Sequence, residues 1–129
     1  MNVFDITAIE NSVRDIIRSL KISDTIYPNR PKASNASTLD FIVVKVTGGI
    51  TDMGAYGEAT VAIDLFAKDI NNVKNGKKLS LMYQKLILGL PTTKGNILFD
   101  NTPIVIGDVP DDYGYHARII NVKTTIKVQ

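Results

Sequence analysis

The sequence predicts an α+β fold: an antiparallel sheet of about four or five strands, with two helices packed on one of its faces. Three observations lead there. Residues 7–20 and 76–90 repeat apolar side chains at the 3.6-residue period of a helix. Residues 57–69 and the carboxy-terminal segment alternate side chains at the two-residue period of a strand. The final strand has one apolar and one polar face, as expected of an antiparallel sheet that carries helices on a single side.

The first helix opens at Thr7 and Glu10, which have the spacing of a capping box. Ile9, Val13, Ile16, Ile17 and Leu20 then form one apolar stripe, with Arg14, Asp15, Arg18 and Ser19 largely opposite. Ile26 and Tyr27 allow only a short strand, because Pro28 and Pro31 prevent regular extension. Residues 29–38 are polar and read as a loop. Phe41 to Val46 is rich in β-branched side chains and reads as a buried strand that ends at Gly48 and Gly49. The connector GGITDMGAYG, residues 48–57, leads into a second strand in which Ala59, Val61, Ile63, Leu65 and Ala67 share a face. The two strands make a long antiparallel hairpin.

Asn75 caps a second helix, with Leu79, Tyr83, Leu86, Ile87 and Leu90 as its core stripe and Pro91 closing it. Ile97 to Phe99 and Ile104 to Ile106 are strands on either side of an Asp-Asn-Thr-Pro turn. The segment GDVPDDYG is a loop before the last strand. In that strand Arg118, Ile120, Val122, Thr124, Ile126 and Val128 share one face, and Ile119 is the exception on the polar side. Ile16, Ile87 and Val122 are expected in the core.

With 129 residues the chain fits one domain, residues 1–129, with enough length for a core without staples. Its 44 % apolar and 22 % charged content is that of an ordinary globular domain. It contains no cysteine, which excludes disulfides, thiolate metal sites and a cysteine nucleophile. Asp5 and Glu10 interrupt the amino terminus, so it does not read as a signal peptide, and no apolar run reaches membrane-spanning length. A net charge of +2 does not call for nucleic acid, and Lys74, Lys77 and Lys78 read as solvated residues at a helix start.

Candidate chemistry is sparse. His116 is the single histidine and reads as a surface residue. Asp108, Asp111 and Asp112 lack the ligand alternation of a calcium loop and read as turn formers. The glycines of residues 48–57 precede a strand, where a phosphate loop would open a helix. The hydroxyls form no triad pattern. No catalysis, metal or cofactor is expected. The unusual feature is the connector, whose Ile50, Met53 and Tyr56 stand between glycines with Asp52. Either these side chains fold back over the core or a partner covers them. On the second reading Ile50, Asp52, Met53 and Tyr56 are the candidate assembly interface, mobile in a monomer and ordered against a neighbour.

The order of elements resembles that of the tail terminator proteins of long-tailed bacteriophages and prophages, also called tail-completion or tail-to-head joining proteins. The likeness covers nearly the whole chain: AIENSVRDIIRSL, the step IYPNRP, FIVVKVTG, a glycine-containing connector, GEATVAIDLFAKD, NGKKLSLMYQKLILGL and DVPDDYGYHARIINVKTTI. The middle strand ends on Leu65-Phe66-Ala67-Lys68, in the manner of that family. The resemblance implies a structural virion protein, assembled in the host cytoplasm, that forms a ring, usually of six copies. It implies contacts with the tail tube protein and with the head-completion or neck protein, and no enzyme activity, cofactor, nucleic-acid sequence recognition or membrane. The alternative is a cytosolic binding module or another neck or baseplate subunit.

Overall fold

The computed structural model describes residues 5–28, 39–52, 54, 56–90, 93–100, 102–111 and 113–127. Helix α1 is Ile6–Ser19. Strand β1, Ile26–Tyr27, leads to the hairpin of β2, Asp40–Asp52, and β3, Tyr56–Lys68. Helix α2, Gly76–Gly89, follows. Then come β4, Thr93–Lys94; β5, Ile97–Phe99; β6, Ile104–Pro110; and β7, Tyr115–Lys127. The fold is α+β, as expected, but the sheet is larger than four or five strands and is mixed. Seven described strands run in the order β1-β2-β3-β7-β5-β4, with β6 also on β7. β1 runs parallel to β2 and the other pairs are antiparallel. The undercount has a physical cause: two-residue strands carry no periodicity and exist only because a longer neighbour offers hydrogen bonds.

Both helices lie on the same face. Ile9, Val13, Ile16 and Ile17 of α1 and Leu79, Met82 and Leu86 of α2 share one buried cluster with Val44, Val61, Ile63, Leu65, Ile120, Val122 and Ile126. The buried edge of α2 therefore runs Leu79-Met82-Leu86. Tyr83 and Leu90 pack beside it, and Ile87 is only half-buried, against expectation. Met82, three residues after Leu79, takes the inward place because a narrow i, i+3, i+7 stripe is all that the sheet covers.

The cap of α1 is also corrected. Asp5 Oδ2 accepts from the Ala8 amide at 2.9 Å, and Thr7 and Glu10 form no capping box. Asn75 caps α2 as expected, accepting from the Lys78 amide at 3.2 Å.

The opposite face is not simply polar. Phe41 stacks on Phe66 with ring centroids 4.4 Å apart, and Tyr115 and Tyr27 meet Phe41 edge-on. Val43 and Ala117 join this second buried cluster, and Ile119 packs against it. Ile119, the apparent exception in β7, belongs there.

Candidate assembly surface

The two long sides of the sheet are finished differently. On the β2 side, α1 supplies side chains to the strand's outward backbone. Glu10 Oε2 accepts the Val46 amide at 2.7 Å, and Arg14 Nη1 donates to the Val44 carbonyl at 3.4 Å. Further along, the Ile42 amide donates to the Thr25 carbonyl at 3.0 Å. Arg14 is itself held by Asn11 one turn earlier. Backbone groups that would otherwise receive a foreign strand are thus engaged by the chain's own residues.

β6 lies on the other side. It pairs with β7 from Ile104 opposite Asn121 to Pro110 opposite His116, and among the described residues no strand pairs with its outer side. Ile104, Val105, Ile106 and Val109 are 53, 42, 58 and 42 % exposed, so the strand presents apolar side chains on both faces. A bulge between Val105 and Gly107 turns Ile106 outward, and Gly107 supplies the φ of 147° that the bulge requires. An edge of this kind, uncharged along its tip and apolar, is a template for association.

The only charge within β6 is neutralised from inside. Arg118 of β7 grips Asp108 with two hydrogen bonds, Nε to Oδ1 at 2.7 Å and Nη2 to Oδ2 at 2.9 Å. Lys74 Nζ reaches the same carboxylate at 3.1 Å. The Arg118 hydrogen bonds, joined by Lys74, hold the Asp108 carboxyl down at about 2. Arg118 also donates to the Ser80 hydroxyl at 3.3 Å and lies over the Tyr83 ring, 5.9 Å from its centroid. The cluster ties β6 to α2 and to the turn before it. In that turn Asn71 and Asn72 both take left-handed φ, and Ile70 and Val73 bond across it. Asp108 is therefore a strand residue in an ion pair and not a turn former, and the expected loop GDVPDDYG shrinks because β6 runs on to Pro110. Asp111 does form a turn, accepting from the Tyr113 and Tyr115 amides. Asp112 lies outside the described residues. Lys74 and Lys78 are paired, Lys78 with Asp40 at 3.1 Å, and Lys77 is solvated as expected. His116 is half-buried, its Nδ1 2.7 Å from Asp69 Oδ1, and not a free surface residue.

The connector also proves shorter than its sequence suggests. Residues 48–52 belong to β2, with a bulge between Thr47 and Thr51, and Asp52 pairs with Gly57. Pairing with β3 extends the strand through glycines that the sequence reads as a terminator. Ile50 is half-buried against the main core, which favours fold-back at that position. Tyr56 is 38 % exposed opposite Lys127. Met53 and the Asp52 side chain lie outside the described residues. Ile50, Asp52 and Tyr56 thus stand at one end of the β2–β3 hairpin, and β6 is a second exposed apolar surface that the sequence reading did not single out. Its signal was present in Pro103-Ile-Val-Ile-Gly-Asp-Val-Pro110. Prolines at both ends of a strand mark an edge, because neither can donate within a ladder.

Away from β6, a groove of about 440 Å³ crosses the non-helical face, lined by Glu58, Thr60, Leu98, Asp100, Lys123 and Thr125 among others. Asp64 lies near the middle of β3 on the same face, opposite Val43 and Ile119. It is 8 % exposed, and its Oδ1 has no hydrogen-bond partner. Burial raises its pKa against the opposing pull of Lys45. Among the described residues there is no cluster of three metal-ligating side chains, and no helix is long and apolar enough to cross a membrane. No family model matches the chain, and no curated protein matches it in sequence.

Proposed function

We propose that the chain is a structural subunit that assembles with copies of itself, as a ring that closes a phage tail tube and joins it to the neck of the head. The observation that carries self-assembly is the β6 edge: apolar on both faces, unpaired along its outer side among the described residues, and with its one carboxylate engaged by Arg118 and Lys74. A strand of this character is a liability in a protein that stays monomeric and an asset in one whose neighbour covers it. The resemblance in element order supports the choice of the tail terminator family within that class. On this reading the ring is hexameric, its two rims meet the tail tube protein and the neck protein, and the chain resides in the virion. Its work is contact and not catalysis.

A binding module of another complex is the second reading, and the same edge favours it, since an open edge accepts a foreign strand as readily as a copy of itself. Sedimentation of the purified chain, with electron microscopy of any large species, separates them. Rings of defined size are expected. A protein that stays monomeric at every concentration would favour the binding module instead.

A further inference from the structure

A closed ring needs two different patches that meet head to tail, and the β2 side is occupied by Glu10 and Arg14. Helix α2 offers the second patch. Lys77, Leu81, Lys85 and Leu88 follow one another at i, i+4, i+8 and i+11, which places them on a single stripe, and all four are exposed. Leu81 is 48 % exposed and Leu88 88 %, while the buried stripe Leu79-Met82-Leu86 holds the sheet with another side of the helix. The core thus leaves two leucines of α2 without cover.

We infer that this outward stripe of α2 is the mate of the β6 edge in the next copy of the chain. The inference rests on the self-assembly reading above. Two properties match the surfaces. The first is apolar exposure: Leu81 and Leu88 stand uncovered on one stripe of α2, as Ile104 and Ile106 stand uncovered on β6. The second is charge. Apart from Lys78 and Asp108, which are paired within the chain, α2 carries Lys77 and Lys85 and no acidic residue, whereas the segment Phe99 to Asp112 carries three aspartates and no basic residue. Apolar side chains at the centre with opposite charge around them are the arrangement that gives both affinity and register. An isologous pairing of β6 with β6 would instead set the acidic flanks of two copies against each other.

The test is complementation between two assembly-blocked forms of the full chain. One carries Ile104→Lys and Ile106→Lys, the other Leu81→Lys and Leu88→Lys. All four positions are exposed, so both forms should melt like the parent. Each alone should sediment as a monomer, and an equimolar mixture should give a dimer and nothing larger, because one intact edge then meets one intact helix. As a check that does not alter the apolar contact, Lys85→Glu should weaken assembly about tenfold. If the helix double variant assembles like the parent while the strand variant does not, the α2 pairing is wrong and self-assembly through β6 stands. If the parent chain is monomeric throughout, both fail together.

Discussion

The β2 and β6 sides of this sheet pose the same problem and answer it differently. On β2 the outward amide of Val46 and carbonyl of Val44 are taken by Glu10 and Arg14, two charged side chains reaching across from α1. On β6 the charges point inward, to the Asp108–Arg118 pair, and isoleucines and valines point out. The difference teaches that charge near a strand does not by itself protect an edge. Glu10 protects because it spends its carboxylate on the outward backbone. Asp108 leaves the edge open because its carboxylate is consumed by its own sheet neighbour.

The largest expected effect breaks the open edge. Ile104→Lys alone should abolish ring assembly while shifting stability by less than about 0.5 kcal/mol, since the position is exposed; sedimentation and a melting curve read the two quantities separately. Next is the ion cluster that stiffens β6. Asp108→Ala leaves Arg118 partly buried without its carboxylate and should cost about 2 kcal/mol by denaturant titration. The pH dependence has a definite sign. Asp108 is held down at about 2, so its contribution is present above the ordinary carboxylate value and is lost as pH falls from about 4 towards about 2. Asp108→Asn should flatten that acid limb.

Smaller effects sharpen the closed edge and the strand between. Glu10→Ala should cost about 1 kcal/mol, hasten exchange of the Val46 amide and, by opening a second edge, produce irregular larger species. Asp64→Asn should run the other way. A carboxyl whose value is raised by burial contributes stability below the ordinary carboxylate range and loses it as pH rises through the folded value. The substitution should therefore raise stability by about 1 kcal/mol at neutral pH, a gain that disappears under acidic conditions. An equal gain at every pH would show that the charge of Asp64 is not what costs.

Much of the fold was legible locally. Both helices, the β2–β3 hairpin and the inward face of β7 follow from periodicity alone, and Asn75 was readable as a cap because side-chain capping is a contact over three residues. The candidate site was legible only in part. For Ile50, Asp52, Met53 and Tyr56 the glycines leave fold-back and partner contact both open; β3 draws residues 48–52 into the ladder and Ile50 packs against the core. Ile104, Val105 and Ile106 were readable as a strand but not as an edge, because a buried strand and an exposed apolar edge have the same composition.

Local sequence sets the two helices, the middles of the long strands and which side chains of α1, β3 and β7 face the helices, since each depends on residues within a turn or two of one another. Tertiary structure alone decided which strands became edges, that Glu10 would meet Val46 and that Arg118 would meet Asp108. These are pairings across 36 and 10 residues of chain. They are set by sheet order, and sheet order is fixed by how all the strands bury their apolar faces together.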